Sequence, residues 1–413
     1  MNAPLQINGA RLWQSLMHMA TIGETEKGGC NRQALTDLDK QARDLFVEWA
    51  EAEGCSVRID TMGNVFARRS GKDNSLPSVM TGSHIDTQPT GGKFDGVYGV
   101  MAGLEVIRSL NEHNVETLAP IEACIWTNEE GARFSPAMVG SGVWCGEFDL
   151  DYGHGRTDKQ GLSIGQELKR IGYLGDKRCE PFAVKGFFEV HIEQGPILEA
   201  EELQIGIVNG VQGMNWYDLI ITGKPVHAGP TPMTSRQDPF MGLYQIIDNL
   251  YKLADKHGAQ SRVTFGDIKA VPGSRNTVPE QLILAVDLRN PDQSVLEEMD
   301  QAFRKISKDI CEPLGLVCEI KDEWRSPAVV FDKHCVSAVR DATHQLGYSH
   351  KEMFSGAGHD SVYVSRVAPT SMIFIPCKDG ISHNEAEDAK AEDIEAGCHV
   401  LLNAMVTLAN APA

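Results

Sequence analysis

Three things are scarce in this sequence of 413 residues: closely spaced cysteines, basic residues and long apolar runs. The ten cysteines are scattered from Cys30 to Cys398, and no two fall at the Cys-x-x-Cys spacing of a zinc ribbon or a redox motif. Reduced, mostly buried thiols in a cytoplasmic protein are therefore expected. Lysine and arginine number 38 against 57 aspartates and glutamates, a formal net charge of −19. Such a surface repels phosphate backbones and anionic lipid, so neither nucleic-acid nor membrane partners are expected. An anionic small molecule is not excluded, because a single local arginine suffices to bind it. No apolar run approaches the ~20 residues that span a bilayer. Residues 1–20 also lack the basic flank and uninterrupted apolar stretch of a secretory signal.

What is present is a globular composition, 42% apolar, on a chain whose length suits two domains. Short apolar or β-branched runs at 78–82, 121–127, 187–192 and 370–375 end in glycine-rich or polar turns. Between the first two, Val97, Val100, Met101, Leu104 and Ile107 recur at helical spacing. Strand, crossover helix and strand predict an α/β domain with a mainly parallel sheet. The middle of the chain differs. A strand at 216–222 precedes a helix with Phe240, Leu243, Ile247, Leu250 and Leu253 on one face, then strands at 263–270 and 282–288. A second helix places Leu296, Met299, Phe303, Ile306 and Ile310 at steps of three and four, before a strand at 316–320. This βαββαβ order is ferredoxin-like. Residues 213–327 are expected to form a compact insertion within a domain made of 1–212 and 328–413.

The densest polar cluster is Thr81-Gly-Ser-His84-Ile-Asp86-Thr followed by Gly91-Gly-Lys-Phe-Asp95-Gly96, where a strand gives way to a helix. Active sites of open α/β sheets lie at the carboxyl ends of strands, so His84 and Asp95 are candidate ligands. Asp86 is placed to reach behind the His84 imidazole and hold its second nitrogen, as metal-bound histidines usually require. One His-x-Asp alone is more often a polar turn with a satisfied histidine. The other strand ends, however, carry matching groups: Glu129-Glu130 after 121–127, His191 and Gln194 in His-Ile-Glu-Gln-Gly, and His383 after 370–375. Three histidines with carboxylates suit Zn²⁺, and also Mn²⁺, Co²⁺ or Ni²⁺. Two ions need a shared carboxylate, and a neighbouring uncoordinated one can act as general base; adjacent residues of an extended chain point apart, so the glutamate pair supplies both kinds.

The ordered series GSHIDTQPTGGKFDGVYGV, WTNEEGARF, EVHIEQGPILE, HAGPTPM, SRNTVPE, DLRNP, SGAGHDS and ISHNEAE resembles the dinuclear-zinc amidases. That family holds N-carbamoyl-L-amino-acid hydrolases, β-ureidopropionases and allantoate amidohydrolases, within the superfamily of aminoacylases and zinc carboxypeptidases. The resemblance implies a zinc-peptidase-like catalytic domain with an inserted lid and dimerisation domain, and two divalent ions. His84 and His191 would serve one ion, Glu130 and His383 the other, with Asp95 bridging and Glu129 as general base. His227 would stabilise the oxyanion, Asn276 and Arg289 would hold the substrate carboxylate, and Gln194 and Gly358 would contact the ureido or carboxylate group. A bidentate arginine fork suits a carboxylate. The implied reaction is cleavage of the carbamoyl C–N bond of an N-carbamoyl amino acid, by a homodimer formed through the insertion. The family's allantoate branch carries an arginine near 214–216, where this sequence reads Met214-Asn-Trp216, so allantoate is the lesser expectation. Acyl-amino-acid or dipeptide hydrolysis, and a non-catalytic metal-containing binding protein, are the remaining alternatives.

Overall fold

The computed structural model describes residues 4–412; residues 1–3 and 413 of the expected catalytic domain lie outside that range. The chain divides into two compact units, one running to Gly210 and resuming at Val330, the other Val211–Val329. The boundaries thus fall two residues outside the expected insertion at either end.

Among the described residues, nine strands form the sheet of the first unit. Its centre is the order Ile121–Trp126, Ser78–His84, Val184–Ile192, Thr370–Ile375, all mutually parallel. Every residue of Ser78–His84, Ile121–Trp126 and Thr370–Ile375 is buried, as a sheet covered on both faces requires. The helix Val97–Glu112 packs on the first three of these strands. Its expected apolar stripe is buried, but so is most of its circumference, because Gly9–Thr21 and Ala391–Asn410 cover its other side. On that covered side lies Glu105, fully buried, which accepts from Arg11 Nη2 at 2.7 Å.

The network at the carboxyl end of Ile121–Trp126, where its antiparallel partner Val65–Arg69 begins, is polar and buried. Asp60 accepts from the amides of Met62 and Asn64 at 2.8 and 3.0 Å and from Asn64 Nδ2 at 2.8 Å. Asn64 in turn accepts from the amide of Thr127 at 3.0 Å, just ahead of the glutamate pair. Burial pushes the Asp60 carboxyl up from 3.8 to about 6. The folded state therefore binds this proton more tightly than the unfolded chain does. Stability contributed by Asp60 should fall as pH rises from about 4 to about 6 and stay lower above, by ~3 kcal/mol at most. The check is Tm against pH for the wild type and Asp60→Asn: the difference between them should shift in the variant's favour across that window.

In the second unit the strands Gly213–Thr222, Arg262–Val271, Gln281–Asn290 and Val317–Ser326 are all antiparallel. Numbered in chain order they lie 4-1-3-2 across the sheet, with the helices Pro239–His257 and Gln293–Cys311 in the connections. Asp238 and Asp292 cap the two helices through their side chains. Gln281–Asn290 alternates strictly, burying Leu282, Leu284, Val286 and Leu288. The expected helical face needs correction: Leu243, Leu250 and Leu253 are buried, but Ile246 is the buried isoleucine, and Phe240 is 46% exposed. Phe240 follows Pro239 in the first turn, and it is the smaller residues Pro239 and Gly242 that face inward there.

All ten cysteines are free thiols, seven of them buried. Among the described residues no helix is long and apolar enough to cross a membrane.

Candidate metal and catalytic centre

The carboxyl ends of the four parallel strands bring distant residues together. His84 ends its strand in register with Trp126, and His191 stands beside Phe374. Asp95 lies just before the helix Val97–Glu112, Glu129 and Glu130 follow Ile121–Trp126, and His383 follows Thr370–Ile375. Asp95 is the hub: its Oδ1 is 3.6 Å from His84 Nε2 and 3.3 Å from His191 Nε2, and its Oδ2 is 3.5 Å from His383 Nε2. Glu130 Oε2 lies 3.3 Å from the same His383 nitrogen. Two groups result, His84–Asp95–His191 and Asp95–Glu130–His383, each with its donor atoms within 4.8 Å of one another. Glu129 Oε2 is 3.3 Å from His84 Nε2. The two adjacent glutamates thus face different histidines, on a turn that Asn128 enters at a φ of 58°.

The donor chemistry suits divalent cations. His84 Nδ1 meets the carbonyl of Asp86 at 2.8 Å, and His191 Nδ1 that of Ile192 at 2.9 Å. When the ring is neutral, as a metal-binding imidazole must be, the hydrogen therefore sits on Nδ1 and the Nε2 lone pair is left toward Asp95. Burial opposes charge throughout. It pushes Glu129 well above the usual carboxylate range against the pull of His84, and with Asp95 it pushes Glu130 up to about 8. Burial of Asp95 is outweighed by His191 and His84, which hold it well below that range. Burial of His84 is likewise outweighed by Glu129 and Asp95, which raise it. Buried carboxylates whose ion pairs among the described residues are all to histidine form a setting that a dication relieves.

Asp86 departs from expectation. Its Oδ1 stands 4.0 Å from His84 Nδ1, because the Asp86 carbonyl already occupies that nitrogen. The carboxylate accepts instead from the amides of Glu129 and Glu130, at 3.3 and 3.2 Å. It positions the glutamate pair rather than the imidazole.

Several contacts escaped the sequence. Gln88 donates its amide and side chain to Glu130, at 3.1 and 2.8 Å. Ser382 Oγ donates to Asp95 Oδ2 at 2.6 Å, and Gln194 Nε2 donates to the same oxygen at 2.9 Å. Gln194 and His383 both hold positive φ, 56° and 55°. Gln194 Oε1 is buried with no hydrogen-bond partner among the described residues. Arg32, 1% exposed, donates to the carbonyl of Ile85 at 2.8 Å and so braces the turn after His84. His359, next to Gly358, lies with its ring 4.6 Å from that of His191; burial and the other histidines hold its pKa well below the ordinary value. Glu189, His191 and His359 form a third cluster, but the Glu189 carboxylate is occupied by Ser83 Oγ and by the amide and hydroxyl of Ser361. Only the local motif SGAGHDS signals His359.

His227, Asn276 and Arg289 belong to the second unit. His227 is exposed and pairs across a two-residue ladder with Thr277, while the carbonyl of Asn276 accepts from the amide of Ala228 at 2.9 Å. His227 Nδ1 accepts from the amide of Gly229 at 3.1 Å, so the neutral ring presents an Nε2–H donor. Arg289 lies on the face of its strand opposite the core and pairs with Asp287 at 2.7 Å.

A doubly covered parallel sheet whose strand ends carry paired carboxylates and imidazoles is a setting for metal-assisted hydrolysis, and the family and relatives that the chain matches make it a hydrolase acting on amide bonds. The chain belongs to Peptidase family M20/M25/M40, whose sequence pattern matches residues 80–407. An N-carbamoyl-L-amino-acid amidohydrolase of Rhizobium meliloti is 46% identical over 404 residues, spanning 98% of this chain and 97% of that one. The allantoate amidohydrolase of Bacillus subtilis is 32% identical, spanning 95% of each. The crystal structure of an amidase of the hydantoinase/carbamoylase family from Burkholderia multivorans superimposes with a TM-score of 0.96 at 52% identity, covering 99% of this chain and all of that one.

Proposed function

We propose that this enzyme hydrolyses the carbamoyl C–N bond of N-carbamoyl amino acids, releasing the amino acid and a carbamate that decomposes to carbon dioxide and ammonia. The observation that carries this is the convergence of three imidazoles with the carboxylates of Asp95 and Glu130, with Glu129 outside both groups at 3.3 Å from His84. Two divalent cations, in our reading Zn²⁺, held by His84, His191 and Asp95 and by Asp95, Glu130 and His383, would polarise the carbamoyl oxygen and acidify water. Glu129 takes the proton from the attacking water. The protonated carboxyl then delivers that proton to the leaving nitrogen. The unpartnered Gln194 Oε1 offers an acceptor for a ureido N–H, and Gly358 is assigned to the same substrate on the family resemblance. His227 is assigned to the oxyanion through its Nε2–H, and Asn276 and Arg289 to the substrate carboxylate, on the family resemblance. Activity on N-carbamoyl-β-alanine, N-carbamoyl-L-methionine, allantoate, an N-acetyl amino acid and a dipeptide tests the assignment. A carbamoyl amino acid should lead the N-acetyl amino acid and the dipeptide by at least ~100-fold in kcat/KM, the preference a site built to pair the ureido group gives, and should also exceed allantoate. A lead by allantoate, the dipeptide or the acetyl compound would overturn it.

The second unit is proposed to dimerise. Arg262–Val271 is an edge strand with Ile268 51% exposed, and the neighbouring helix shows Phe240, Tyr244 and Tyr251 outward. Unpaired edges beside exposed aromatics mark pairing surfaces. Light scattering should give the mass of two chains for the wild type and of one chain for Tyr244→Glu combined with Ile268→Lys; a dimeric double variant would remove this surface.

A further inference from the structure

The loop carrying Asp95 and the loop carrying His383 come from opposite ends of the chain, and beside the direct bond from Ser382 to the Asp95 carboxylate a second side chain ties their backbones. Glu387, four residues past His383 and 2% exposed, sends its Oε1 to the amide of Phe94 at 2.9 Å and to that of Asp95 at 3.1 Å. Its Oε2 lies 3.4 Å from Ser382 Oγ, whose hydroxyl donates to Asp95 Oδ2 at 2.6 Å. The amide of Glu387 donates to the carbonyl of Asn384 at 3.0 Å, closing the turn that directly follows His383. The carboxyl packs tightly against Gly92, where an added methyl group would stand 2.0 Å from Glu387 Cδ.

We infer that Glu387 is a positioning residue that sets the separation of Asp95 and His383, and thereby the affinity of the site formed by Asp95, Glu130 and His383 for its cation. Resting on the dinuclear reading, the inference adds a part the metal-binding side chains do not supply. Those side chains reach Asp95 only through long-range folding, and without a fixed distance between the two loops the Asp95 Oδ2 and His383 Nε2 donors drift apart. What matters is an acceptor at the position of Oε1, not the negative charge.

That distinction gives the test. Glu387→Gln keeps an oxygen at the same reach and can donate to Ser382; Glu387→Asp keeps the charge but withdraws the oxygen by one methylene; Glu387→Ala removes both. Hydrogen exchange of the metal-free protein reports the clamp, and Zn²⁺ titration by calorimetry with metal analysis reports its consequence. The amides of Phe94 and Asp95 should exchange faster in the Asp and Ala variants than in the wild type and the Gln variant. The second equivalent of Zn²⁺ should bind ~10–100-fold more weakly in Asp and Ala, the usual cost of losing an outer hydrogen bond to a metal-binding residue, and within about threefold of wild type in Gln. A Gln variant as impaired as Ala would show that charge acts, and unchanged binding of the second ion in Asp and Ala would show that the clamp does not serve the metal; either overturns the inference. A wild-type protein that takes up no cation would overturn the metal-centre reading itself, an outcome visible before any variant is compared.

Discussion

Glu129→Gln should lower kcat by about a thousandfold, within the range that general acid–base groups contribute, while leaving metal content and Tm unchanged. Glutamine keeps the volume and one acceptor oxygen, so the 3.3 Å approach to His84 Nε2 has no steric reason to change. What is lost is the ability to take a proton from water and return it to the leaving nitrogen. In the folded chain burial pushes this carboxyl up and His84 opposes it. Steady-state kinetics with a carbamoyl substrate, alongside metal analysis, checks the expectation. A variant with full activity removes Glu129 from the chemistry, and one that loses metal moves it among the groups that hold the ions.

Gly96→Ala is the second variant with a large expected effect. Gly96 has a φ of 69°, in the left-handed region, and a methyl group there would stand 2.3 Å from both Cε1 and Nε2 of His84. The imidazole cannot retreat, because its Nδ1 is tied to the carbonyl of Asp86 at 2.8 Å and the ring is 2% exposed. Either the ring or the Asp95 loop must move, and both belong to the same cluster. Activity should fall by at least ~100-fold, as for a misplaced metal-binding residue, with one cation bound more weakly and a lower Tm. Wild-type metal uptake by this variant would show that the two loops have more freedom than their packing indicates.

The parallel strands were legible because each buries both faces and so reads as a continuous apolar run bounded by turns. The ends of those runs were also the places to look for chemistry, which is why His84, Asp95, the Glu129–Glu130 pair, His191 and His383 could be named without coordinates, whereas the choice of Glu130 over Glu129 as ligand came from the family resemblance. Pattern reading went astray where geometry is finer than a period. Phe240 fits a helical face, yet in the first turn Pro239 and Gly242 take the inward positions. Asp86 sits at the spacing for bracing His84, but a main-chain carbonyl reached the imidazole first. Glu387 was hidden for another reason: its partners Phe94 and Asp95 lie nearly 300 positions away, and no local pattern encodes a hydrogen bond closed only by the folded chain. Gln88 and Arg32 were missed similarly, since a glutamine in a turn and an arginine near the amino terminus look like ordinary surface residues until burial is known.

The most direct measurement is anomalous diffraction at a metal edge from crystals of the Zn²⁺-loaded enzyme. Two peaks ~3.5–4 Å apart are expected, with one Asp95 oxygen directed to each and His84 and His191 on one side, Glu130 and His383 on the other. A single peak, or two peaks that do not share the Asp95 carboxylate, would contradict the account.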